Sequence, residues 1–171
     1  MKINKEGYEG IEKPFEKEEI VIINTKIGEL HLVISPIPLD FSDILEKQIP
    51  SPNPKIKGVL KDKKGRYIRD EQTGKPLPEY DTTDKKYIAE LKTCQRRQSM
   101  CLLIEGLRKD ETLEFEAKNE AYEDVREFYD AVYAELLKAG MTIGQQIKII
   151  NAINKVSGLD EKEVEEAKDF L

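Results

Sequence analysis

Apolar positions recur at spacings of three and four along the last third of the chain. Ala121, Val125, Phe128, Tyr129, Val132, Tyr133, Leu136 and Leu137 draw one stripe along a helix over Asp124 to Leu137, and a stripe of that length has to be buried. Gly140 is placed to end this helix as a left-handed cap, and Thr142 with Gln145 has the spacing of a capping box that opens the next. That second helix would bury Ile143, Ile147 and Ile150, with Ile153 in line, and the tight Gly140-Met141 connection predicts that the two helices pack on each other. Gly158 closes it, and Asp160 with Glu163 opens a final helix.

Near the start the period changes from helical to alternating. Glu19 to Asn24 and Glu29 to Ser35 are rich in β-branched residues and flank Thr25-Lys26-Ile27-Gly28, where Gly28 can supply the positive φ of a tight hairpin. Both registers of this hairpin are largely apolar, which predicts that both of its faces are covered. Before it, Met1 to Glu19 shows no clean period and reads as an irregular arm. Pro36 and Pro38 stop the second strand because proline has no N–H for a ladder. A short helix capped by Asp40 or Ser42 then runs to Gln48, with Phe41, Ile44 and Leu45 inward.

Ile49-Pro50-Ser51-Pro52-Asn53-Pro54 reads as extended, semi-rigid chain and as the best boundary in the sequence. Lys55 to Tyr80 carries turn signals at Lys63-Lys64-Gly65-Arg66 and Gln72-Thr73-Gly74-Lys75, which predict one polar hairpin or loop. Asp81, Thr82 or Thr83 would cap a helix reaching about Arg108, whose apolar stripe breaks over the polar Gln95 to Ser99. The fold expected is therefore α+β: an N-terminal β-hairpin with a short helix, then a mainly helical C-terminal bundle. Its parts are 1–54, β-rich with the Pro-rich linker; 55–80, the basic hairpin or loop; and 81–171, the helical bundle.

Charge sharpens this division. Of the 171 residues 36% are charged, and the net charge of −6 conceals −4 over residues 1–54, +7 over 55–109 and −9 over 110–171. The cations Lys55, Lys57, Lys61, Lys63, Lys64, Arg66 and Arg69, with Tyr67 among them, form a candidate phosphate-backbone contact, weighed against a solvated hairpin in an acidic chain. The helix pair at Gly140 has the outline of a helix-turn-helix, but Thr142 to Ser157 exposes only Lys148 and Lys155 as cations.

Candidate chemistry adds little. His31 is the only histidine and has no ligand-spaced partner for a metal, and no cofactor motif is present. Cys94 and Cys101 fall on one predicted helix, about 10 Å apart at 1.5 Å per residue, which is too far for a disulfide. Free thiols, no apolar run long enough to span a membrane and a charged start point to a cytoplasmic protein without a membrane partner. Carboxylates such as those of Glu161 to Asp169 lie at helical spacings from Lys162 and Lys168 that explain them by pairing. No nucleophile, paired-carboxylate or nucleotide motif stands out, which argues against an enzyme.

Three stretches carry a family resemblance. They are Pro50-Ser51-Pro52-Asn53-Pro54, Tyr80-Asp81-Thr82-Thr83-Asp84-Lys85-Lys86-Tyr87, and Ile150-Asn151-Ala152-Ile153-Asn154-Lys155-Val156-Ser157-Gly158-Leu159-Asp160-Glu161. In order and style, with a β-rich start, a Pro-containing linker and a helical end, the chain resembles small phage proteins of the tail-assembly-chaperone kind. The likeness covers the latter two thirds of the chain; the long hairpin and the basic middle fall outside it. It implies a non-enzymatic assembly factor or minor virion component in the host cytoplasm or the virion, with other phage structural or assembly proteins as partners. The alternative is a nucleic-acid-binding accessory protein using residues 55–69.

Overall fold

A computed structural model describes residues 18–158; the irregular arm before Glu18 and the last helix expected from Asp160 lie outside them. The order of elements is β1 (Glu19–Thr25), β2 (Gly28–Ile34), α1 (Phe41–Gln48), β3 (Lys55–Val59), β4 (Pro78–Asp81), α2 (Lys85–Gly106), α3 (Val125–Lys138) and α4 (Ile143–Val156). The architecture is α+β, with a hairpin and a short helix ahead of the long helices.

β1 and β2 pair antiparallel with Val21 opposite Leu32 and Ile23 opposite Leu30, closed by a turn in which Gly28 has φ +122°. Val21, Ile23, Leu32 and Ile34 are buried. The expectation that both faces are covered fails: Ile20 is 62% exposed and Ile22 40%. The reason is that α4 packs on the hairpin from one side, where Val21, Ile23, Leu32 and Ile34 join the core, while Ile20 and Ile22 stand on the other face.

Protection is instead applied to the edges. Along β1, Gln145 Nε2 donates to the Asn24 carbonyl (2.8 Å) and Lys148 Nζ to that of Ile22 (2.7 Å). Along β2, the Val33 N–H donates to Asp110 Oδ2 (2.7 Å), Thr112 Oγ1 donates to the His31 carbonyl (3.2 Å), and the Ser35 N–H to that of Gly106 (2.8 Å). Unpaired strand groups that could recruit another chain are thereby occupied.

α1 turns Phe41 inward, and its exit docks on α2, where the Ile49 carbonyl accepts from Gln98 Nε2 (3.3 Å) and Cys94 Sγ (3.8 Å). Residues 55–81 form more than a single hairpin. β3 and β4 pair through a bulge at Ile56/Gly58, and a third extended piece joins them in a ring of backbone bonds: Leu60 N–H to Leu77 O, Leu77 N–H to Ile68 O, and Ile68 N–H to Leu60 O, each 2.9 Å. Gly65 and Gly74, at φ +78° and +67°, turn the chain between these pieces. β3 and β4 pack on each other and hardly on any other element, so the segment is an arm on the body.

α2 is capped by Asp84, whose side chain accepts from the Tyr87 N–H (2.8 Å), rather than by Asp81, Thr82 or Thr83; Asp81 instead holds Thr83 in a local turn. Its polar middle faces α3, where Asp130 accepts from Arg96 Nη2 (3.0 Å) and from both Nε and Nη2 of Arg97 (3.1 and 2.5 Å). α3 begins at an Asp124 cap and buries Phe128, Tyr129, Val132 and Leu136. Ala121 sits in a preceding 3₁₀ turn, and Leu137 is exposed, so the stripe is shorter than expected.

α4 carries the expected Thr142–Gln145 capping box. Its buried side is Ile149, Ala152 and Ile153, while Ile143 is 77% and Ile147 51% exposed, contrary to the sequence reading. α3 and α4 pack mainly on α2 rather than on one another, and α4 also packs on the hairpin. What turns the helix is Gly106: with no Cβ there, Ile153 lies directly against the α2 backbone.

Candidate interaction surfaces

The basic residues singled out by sequence all lie on the arm, and only part of their charge is available. Lys57 pairs with Glu79 across the bulge (3.1 Å), and Arg66 pairs with Asp62 (2.8 Å). The N–H groups of Arg66 and Lys64 also donate to Asp62, and the backbone bond from Arg66 is the largest cause holding its carboxyl below the usual aspartate value. Arg69 donates to the Gly74 carbonyl (2.9 Å), bracing the second turn. Lys61 and Tyr67 are cross-strand partners, with the ammonium 5.4 Å from the ring centroid. Lys55, Lys63 and Lys64 have no ion-pair partner among the described residues.

Two polar clusters between the helices have a structural explanation. Tyr129 Oη lies 2.9 Å from Gln48 Oε1 and 3.2 Å from Cys101 Sγ, which ties α1, α2 and α3 together. Burial pushes both the Cys101 thiol and the Tyr129 phenol up, so both stay protonated and Cys101 lacks the thiolate a nucleophile needs. Between α2 and α3, hydrogen bonds first from Arg97 and then from Arg96 hold the Asp130 carboxyl below its ordinary value, and Arg96 also stacks 4.8 Å from the Tyr133 ring centroid. These three charged groups fasten two helices. Cys94 and Cys101 are both free and buried, and His31 is exposed beside Glu29 at 3.9 Å.

One concavity among the described residues was not found by sequence. A groove of about 660 Å³ opens between the hairpin tip and the α3–α4 corner, lined by Ile23, Ile27, Leu30, Leu113, Leu136 and Met141, with Thr142 and Gln145 on its polar side. Its size falls in the range of ligand and side-chain pockets, and its apolar lining is that of a recognition surface. Ile27, at the tip, is 90% exposed. The turn itself was legible, but a lone isoleucine between Lys26 and Gly28 gives no periodic signal, and Leu113 lies in irregular chain. Ile143, Ile147 and Leu137 add exposed apolar area on the two helices that meet at this corner.

No cluster of three potential metal ligands occurs among the described residues, and no helix among them is long and apolar enough to cross a membrane. Comparison of the chain with protein-family models, with curated proteins and with solved structures found no match.

Proposed function

We propose that this chain is a non-enzymatic protein-interaction module that serves phage tail assembly, as a tail-assembly chaperone or a minor virion or assembly protein. The observation that carries the reading is the apolar groove at the hairpin tip, with Ile27 standing free on its rim and the sheet edges occupied by side chains. Such a site takes up apolar side chains of a partner and leaves strand addition blocked at both edges. The order of segments, which resembles tail-assembly chaperones, supplies the class of partner: structural or assembly proteins of a phage.

The test is co-expression with phage tail-tube and tape-measure proteins, followed by co-purification. A complex that forms with the wild-type chain and is lost with Ile27→Asp, whose exposed position leaves the core untouched, is the expected result. Failure of every such tail protein to bind, or full-length tails assembled in a phage lacking the gene, would refute the proposal.

A further inference from the structure

The arm is a basic segment of a chain that is acidic overall. Residues 55–81 hold eight cations and five anions, a net +3, against −6 for the whole chain. Lys57 and Arg66 are paired and Arg69 is held by a carbonyl; Lys55, Lys63, Lys64 and Lys75 have no ion-pair partner among the described residues, and Lys61 meets the Tyr67 ring. Lys61 and Tyr67 lie side by side on one side of the arm, next to the turn that carries Lys63 and Lys64. This surface asks for carboxylates.

The connection from α2 to α3 supplies them. Residues 111–127 carry seven anions and two cations, a net −5. Glu114 is held by Lys118 and Asp124 by Arg126, but Glu111, Glu120, Glu123 and Glu127 are exposed and form no ion pair among the described residues. Within one molecule no salt bridge joins this connection to the arm. The two surfaces are complementary in the sign of their net charge, and no ion pair among the described residues satisfies either in full.

We infer that the arm of one copy docks on the 111–127 connection of a second copy, so that the chain self-associates head to tail. Because the contact joins two different surfaces, it generates a ring if the rotation closes and an open row if it does not. A nucleic acid is the poorer occupant of the same arm: three of its cations are already engaged, five anions are interspersed, and the molecule as a whole repels a polyanion. This inference is independent of the phage reading, which concerns the groove.

Sedimentation velocity of the full chain tests it. Raising salt from about 0.1 M to about 1 M shortens the screening length from about 10 Å to about 3 Å, and the association constant should fall at least about tenfold. An arm variant, Lys61→Glu with Lys63→Glu and Lys64→Glu, should be monomeric, as should a connection variant, Glu111→Lys with Glu120→Lys and Glu123→Lys. Mixing the two should restore association, because the unaltered arm of one meets the unaltered connection of the other; that rescue also shows both variants folded. A wild-type chain that stays monomeric at low salt, association that ignores salt or survives in the arm variant, or a mixture that fails to associate although both variants unfold at the wild-type midpoint would overturn it. So would a monomeric wild type that binds single-stranded DNA or RNA through these lysines.

Discussion

Gly106→Ala probes the contact that sets the orientation of α4. In most helices this exchange stabilises, because alanine is favoured over glycine by up to about 1 kcal/mol. Here a Cβ would overlap Cδ1 and Cγ1 of Ile153, a side chain with no exposed surface. Ile153 cannot swing into solvent, so either its rotamer is forced or α4 is pushed off α2 and the hairpin. Overpacking of this kind costs about 1 to 3 kcal/mol. After a gain in helix propensity of about 1 kcal/mol the net loss should be up to about 2 kcal/mol, which lowers the thermal midpoint by about 2 to 4 °C per kcal/mol in a chain of this size. Urea unfolding followed by far-ultraviolet circular dichroism measures it. In Ile153→Ala, where a cavity replaces the side chain at a cost of about 2 to 5 kcal/mol, adding Gly106→Ala should cost nothing further or partly restore stability. A Gly106→Ala variant more stable than wild type, or effects of the two changes that simply add, would refute the packing argument.

Leu136→Ala should cost about 2 to 5 kcal/mol in the isolated protein, since Leu136 is buried on α3, as calorimetry would show; full stability in that variant would make its face an interface. Asp130 contributes stability that is present above the unfolded aspartate pKa and lost as pH falls through its depressed folded value. Asp130→Asn should therefore flatten the acid limb of a stability-against-pH curve and cost about 1 kcal/mol at neutral pH for this partly exposed pair; an unchanged acid limb would contradict the assignment. Limited proteolysis should cut first between Pro50 and Lys75, at the Gly65 or Gly74 turn, because the arm buries little against the body; first cleavage within α3 or α4 would count against that. Cys94 and Cys101 should both resist a thiol reagent until the protein unfolds, and stoichiometric labelling of the native chain would show otherwise.

The parts of the fold legible in the sequence are those fixed by local rules. The hairpin follows from β-branched alternation around Gly28, and the α3–α4 corner from Gly140 and the Thr142–Gln145 box. What stayed hidden depended on partners far along the chain. The polar break in α2 was visible, but its meaning rests on Asp130, which lies 33 positions beyond Arg97. α4 has isoleucines on nearly two faces; Ile149 and Ile153 are the buried ones, and the missing Cβ of Gly106 makes room for Ile153. Lys148 reads as an exposed helix cation and Gln145 as a capping-box partner until the strand carbonyls they also cover are located. The basic run was legible as charge, while its internal pairing through Asp62 and Glu79 required the bulge and the turn. The groove is assembled from the hairpin tip, Leu113 and the helix corner, three places with no shared sequence pattern.

The central claim, that the groove at the hairpin tip is where this protein meets its partner, is tested most directly by methyl-labelled nuclear magnetic resonance during titration with a phage tail-tube or tape-measure protein. The account predicts shifts at Ile27, Leu30, Leu113 and Met141, with Ile149 and Ile153 in the core unmoved. Shifts confined to Ile56 and Ile68 on the arm, or no shift at any methyl while the partner binds, would contradict it.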